Sequence, residues 1–195
     1  MAIYLNEREV GFDTTTLGFP SVQGCMAIVY VTDTGLFGYH NYGGSADDKW
    51  ADRAQAFAQY VQNHASTGAG SRLYGVTYVK VRGYTTPGKT SWTGELTAFA
   101  TALGYNGKIR GYDLSGAGIL GSAYVEFRKK DDKCEMWVKV WADGDKTTGP
   151  NTHANDHKIT PPRGGVTVIE NQNLQVVTAV TIAGMKHVHS TKLRQ

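Results

Sequence analysis

Eight consecutive residues, Cys25-Met26-Ala27-Ile28-Val29-Tyr30-Val31-Thr32, carry almost no polar side chain. A strand with one solvated face alternates apolar and polar residues, and this run does not alternate. Its short length and β-branched content suit a strand buried on both faces, which needs a layer on each side. Asp33-Thr34-Gly35 then signals a turn, and Leu36 to Asn41 reads as a second short strand. The remaining elements have to be arranged around this pair.

Trp50, Ala54, Phe57, Ala58 and Val61 recur at helical spacing and form one apolar face. Ser45-Ala46-Asp47-Asp48 supplies capping groups and negative charge at its start, while His64 and Gly68 suit its end. Residues 72–82 alternate as a strand, and a shorter helix follows with Leu96, Phe99, Ala100 and Leu103 apolar and Gly104 as its stop. Beyond Gly104 the pattern is strand and turn. Residues 119–129 and 134–141 read as one hairpin, and 166–169 with 174–182 as another, separated by a polar loop over 143–163. The 24 glycines, with many Thr and Tyr, agree with strands and turns rather than long helices. The expected class is α+β: a mainly antiparallel β-sheet or sandwich with two helices packed on it, in one domain over residues 1–195.

The net charge is only +3 and the basic residues are scattered, so neither nucleic acid nor an acidic membrane is the expected partner. No apolar stretch has the length of a membrane span, and the first residues lack the pattern of a classical signal peptide. The expected location is the cytoplasm, or outside the cell as an effector exported without such a peptide. Two cysteines do not make a disulfide framework, so a reduced state is expected. A Cys25–Cys134 bridge would remove the chemistry described next.

Gly24-Cys25 opens the apolar strand, and fifteen residues after the cysteine comes His40 in Gly38-Tyr39-His40. A thiol beside imidazole is an activated nucleophile. The chemistry expected of the pair is attack by Cys25 on a carboxamide, with His40 taking the thiol proton and returning one to departing ammonia. The Gly24 and Cys25 amides are the candidate oxyanion donors. A third group must orient the imidazole, and Ser21, Thr16 or a main-chain carbonyl are the choices. Simple pairing about the turn puts His40 opposite Ile28, three residues or roughly 10 Å from Cys25 and on the other face. A bulge or bend is then required. The plainer reading makes Cys25 a small buried hydrophobe and the chain a non-catalytic protein-binding β-domain.

Gly24-Cys25, the apolar strand, Gly38-Tyr39-His40 and the helix beginning Trp50-Ala51-Asp52-Arg53-Ala54 resemble the glutamine deamidases of the CheD chemoreceptor type. The cysteine–histidine interval is also similar to that of the cytotoxic necrotizing factor catalytic domain. The resemblance covers roughly residues 16–82. It implies a sandwich-like sheet and a cysteine-dependent protein-glutamine deamidase, with transglutamination as a side activity. It also implies a toxin or effector role, a protein substrate with an exposed glutamine, and neither metal nor cofactor. The chain departs in carrying Gln23 where the toxins have serine and Phe19 where CheD-type enzymes have threonine. It also lacks a glycine run at Val81-Arg82-Gly83. These departures leave the third catalytic group open.

Gly83-Tyr84-Thr85-Thr86-Pro87-Gly88-Lys89-Thr90 matches the phosphate-binding P-loop pattern, with Asp113-Leu114-Ser115-Gly116 as a possible second nucleotide motif. A nucleotide-binding protein is the third reading, ranked below the others because the later chain offers no alternating helices. His153, His157, His187 and His189 read as loop and terminal histidines rather than metal ligands. Cys134 shares a strand face with Met136 and Val138 and reads as core. Trp137 and Trp141 take the opposite face, where packing under a helix is expected.

Overall fold

The computed structural model describes residues 3–42, 49–64, 70–85, 87–141, 157–160, 166–170 and 184–194. The first strands are β1 (Ile3–Tyr4), β2 (Glu9–Asp13), β3 (Thr16–Val22), β4 (Met26–Val31) and β5 (Leu36–Asn41). Helix α1 (Trp50–His64), β6 (Arg72–Thr77), α2 (Gly88–Ala102) and β7 (Ile109–Asp113) follow. The chain continues through β8 (Ala123–Lys130), β9 (Lys133–Val140), β10 (His157–Ile159), β11 (Val168–Glu170), β12 (Lys186–Val188) and β13 (Thr191–Arg194).

Two sheets form. One runs β1-β3-β8-β9-β12 and the other β10-β11-β2-β5-β4-β6-β7-β13. All six residues of β4 are buried, and alternation divides them between two cores. Ala27, Val29 and Val31 meet Leu17, Phe19, Val125 and Phe127 of the smaller sheet. Met26, Ile28 and Tyr30 meet Phe57, Leu96 and Phe99 of the helices. The order of layers is helices, large sheet, small sheet. Each large side chain so buried contributes about 1.5–3 kcal/mol, which is why an unbroken apolar run belongs at this central position. The expected α+β sandwich with two helices on it is present, and among the described residues three of the eleven strand pairings (β1–β3, β2–β11, β6–β7) are parallel.

Both helices fall where their periodicity places them. Gly104, at φ +64, ends α2, with its N–H donated to the Thr101 carbonyl. The capping residues 45–48 and Gly68 lie outside the described residues. The β8–β9 hairpin turns at Asp131, φ +55.

Three expectations need correction. The alternating segment 72–82 is a strand only to Thr77. There the Val79 N–H turns to Asp113 Oδ1 and the Arg82 N–H to the Tyr78 carbonyl. The stretch 143–163 is not all loop, because β10 lies within it. The strand near 166–169 pairs with β10 and with β2, and its expected partner 174–182 lies outside the described residues. Pairing partners distant in sequence leave no local signal.

Candidate functional site

The turn between β4 and β5 decides where His40 stands. Thr32 donates its N–H to the Gly35 carbonyl at 2.9 Å, so the turn centres on Asp33-Thr34 rather than on three residues. The register becomes Val31↔Leu36, Ile28↔Tyr39 and Ala27↔His40. The expected pairing with Ile28 is thus corrected by one residue, and one residue exchanges the faces. His40 lies on the inter-sheet face with Ala27. Cys25 lies two residues before Ala27, in the bend that enters β4 and outside the paired register. Diagonal neighbours in a sheet stand about 7–8 Å apart at the backbone, so this register brings the bend that carries Cys25 to the neighbourhood of His40.

His40 is 1% exposed and Cys25 9%. The His40 Nδ1 lies 2.8 Å from the Leu5 carbonyl oxygen. A carbonyl can only accept, so Nδ1 carries the proton and Nε2 is the free lone pair. Nε2 is buried and makes no hydrogen bond, to the thiol or to any other group. Burial lowers the His40 pKa to about 4, against the Leu5 hydrogen bond and helped by the Arg82 charge. The imidazole is therefore a neutral, single-tautomer base at neutral pH.

The main-chain alternative for the orienting group is the one present. Ser21 sits at φ +58 in a bulge of β3 with its side chain exposed. Thr16 pairs with Arg128 and donates its N–H to Asp13 Oδ1, three residues or roughly 10 Å along β3 from Phe19. Neither is hydrogen-bonded to His40. Phe19 instead sets its ring edge-on to the imidazole, centroids 6.0 Å apart.

The Gly24-Cys25 turn is held from inside. Arg82 Nη1 donates to the Gly24 carbonyl at 2.8 Å, and Thr77 Oγ1 to the Cys25 carbonyl at 2.7 Å. Carbonyl and N–H of a trans peptide point opposite ways, so anchoring the Gly24 oxygen on Arg82 aims the Cys25 N–H away from it. The outer side of the turn is open: a Cβ on Gly24 would meet no atom within 4 Å. Packing does not require this glycine.

Arg82 belongs to a buried ionic network centred on Glu95 of α2. Glu95 Oε1 accepts from Arg82 Nη2 at 2.8 Å and from Asn41 Nδ2 at 2.8 Å, while Tyr84 donates to Oε2 at 3.2 Å. Arg53 of α1 stands 3.6 Å from Oε1. Burial disfavours the Arg82 charge, and the Glu95 carboxylate more than offsets it. The guanidinium is also electrostatically coupled to the Cys25 thiol. One network therefore joins both helices, the end of β5 and the cysteine turn.

Sequence reasoning missed Leu5, Thr77, Arg82 and Glu95. A signal existed for Glu95 and Arg53, because each is a charge inside the apolar stripe of its helix, between Trp92 and Leu96 and beside Ala54. The Leu5 carbonyl had none.

Neither Cys25 nor Cys134 is in a disulfide, so the bridge between them does not form. Cys134 packs against the inter-sheet core as expected. In the P-loop-like segment Thr86 lies outside the described residues, and Arg82 and Tyr84 beside it turn inward to Glu95. Asp113 caps a short 3-10 turn, its Oδ1 accepting from the Ser115 N–H. His153 and the His157 side chain lie outside the described residues. His187 and His189 face each other, ring centroids 4.8 Å apart. Trp137 and Trp141 are not under a helix, since both helices pack on the other sheet. Trp137 stacks with Arg128, and Trp141 with Tyr124. No described helix is long and apolar enough to cross a membrane. Comparison with protein-family models and with curated proteins finds no match to this chain.

Proposed function

We propose that the chain is a cysteine-dependent amidohydrolase acting on the carboxamide of protein-bound glutamine, with Cys25 as nucleophile and His40 as base and acid. The observation that carries this reading is the single-tautomer imidazole. Its Nε2 lone pair is buried and unpartnered, and His40 pairs with Ala27, two residues from Cys25.

In the proposed cycle His40 Nε2 removes the thiol proton and the sulfur bonds to the carboxamide carbon. The negative oxygen that develops is held by main-chain N–H groups of the Gly24-Cys25 turn. Collapse breaks the carbon–nitrogen bond, and ammonia leaves with the proton from His40. Water, deprotonated by His40, cleaves the thioester to give glutamate and free Cys25. An amine in place of water gives an isopeptide, the transglutaminase side reaction. The resemblance to CheD-type and cytotoxic necrotizing factor-like deamidases supports this reading, as does the sandwich class. An exported effector role rests on that resemblance alone.

The test measures ammonia release, and the mass change from amide to acid, on glutamine-presenting proteins. Activity lost in both Cys25→Ser and His40→Ala, with folding intact, is the expected result. Activity that survives in either variant refutes the assignment. The burial of both side chains favours a second reading, in which they pack within a binding domain. Alkylation with iodoacetamide separates the two: the catalytic reading requires Cys25 to react well below pH 8, and the packing reading requires it to stay inert.

A further inference from the structure

A cleft of about 430 Å³ opens at the far end of the sandwich, between the sheets. Its lining includes Arg72 and Tyr74 of β6 and Arg110 of β7 on one wall, and Cys134 and Met136 of β9 on the other. Arg72 pairs with Val31, whereas Thr77 pairs with Met26 beside Cys25. Five residues of strand, roughly 17 Å, therefore separate this cleft from the thiol.

Charge is concentrated here. Arg72, Arg110, Lys130 and Lys133 line the cleft with Glu135, and Asp132 pairs with Arg72 beside it. Four cations against two carboxylates leave a formal +2, most of the chain's net charge of +3.

The two guanidinium groups are already held in place. Arg110 donates Nε to Ser190 Oγ at 2.7 Å and Nη2 to the Ser190 carbonyl at 2.9 Å. Arg72 donates Nη2 to Asp132 at 3.1 Å and Nη1 to the Ser71 carbonyl at 3.2 Å. A guanidinium has five N–H donors, so each arginine keeps unused ones. Tyr74 Oη accepts from the Cys134 N–H, which leaves its own O–H to donate. His187 and His189 add further donors at the rim. Acceptor-rich, multiply charged oxyanions suit such a set, and fixed guanidinium forks match phosphate oxygens in pairs. Met136 and Val188 supply an apolar surface beside the cations. The volume falls within the range of about 300–1,000 Å³ common for small-ligand sites.

We propose that this inter-sheet cleft binds a small phosphate monoester, its phosphoryl group between Arg72 and Arg110 and its organic part on Met136 and Val188. The site is independent of the cysteine–histidine chemistry.

Isothermal titration of the intact chain with phenyl phosphate, inorganic phosphate and a short DNA duplex tests it. Saturable binding of phenyl phosphate, tighter than inorganic phosphate and weakened at least about tenfold in Arg72→Gln and in Lys133→Gln, is expected. Backbone amide shifts induced by phenyl phosphate in the unaltered protein should centre on residues 72–74, 110 and 133–136. That mapping decides the matter if a variant fails to fold. Shifts centred elsewhere, no binding at millimolar phenyl phosphate, equal affinity for inorganic phosphate, or preference for the duplex each overturns the proposal.

Discussion

Replacing Glu95 with Gln tests the network that holds the cysteine turn. The change preserves shape and removes one buried negative charge from between Arg82, whose side chain is 0% exposed, and Arg53 at 5%. The glutamine oxygen can still accept from Arg82 and Asn41, but two buried guanidinium groups lose their counter-charge. Breaking a buried ion pair from one side costs about 3–5 kcal/mol. A domain of this length shifts its Tm by about 2–4 °C per kcal/mol, so a fall of roughly 6–20 °C is expected. Circular dichroism melts of Glu95→Gln beside Glu135→Gln make the comparison, since Glu135 is in an exposed pair with Lys130. The second variant should melt close to the unaltered protein. A Glu95→Gln Tm within about 2 °C of that protein would refute the reasoning. It would mean that water or a neighbouring group already screens the carboxylate.

Stability should also depend on His40 protonation. Its pKa falls from 6.5 to about 4 on burial. Between those values the unfolded chain binds a proton that the folded chain does not, so stability drops as pH falls from 6.5 towards 4 and levels off below. The full loss is worth roughly 3 kcal/mol, and urea titrations of His40→Gln should lack that slope. If His40 is the base, the acid limb of deamidation should appear near pH 4 rather than near 6.5, as read from kcat/KM against pH. Gly38→Ala should destabilise by about 1–3 kcal/mol, because its Cβ would approach Leu5 Cδ1 to 2.6 Å and Leu17 Cδ1 to 2.7 Å beside His40. Gly24→Ala, with nothing within 4 Å, should melt like the unaltered protein. Equal Tm losses for the two glycines in calorimetry would contradict the packing described.

Much of the architecture was readable along the chain because its signals are periodic and local. The apolar run 25–32 has to be central, the stripes of α1 and α2 have to face a sheet, and the 130–133 turn joins two adjacent strands. Cys25 and His40 were recognisable as reactive types at a suggestive interval. Whether they share a face was not, because that depends on a register that a one-residue difference in turn geometry reverses.

The primary structure alone determined the layers and the helices, since each follows from side chains a few positions apart. Only tertiary structure decided what those residues face. Leu5 reaches His40 across 35 positions, Arg82 reaches Gly24 across 58, and Glu95 reaches Asn41 across 54. The parallel pairing of β2 with β11 and the clustering of cations from β6, β7, β8 and β9 have the same origin. Hydrogen bonds and Coulomb forces act over ångströms, and separation along the chain says nothing about which groups folding brings that close.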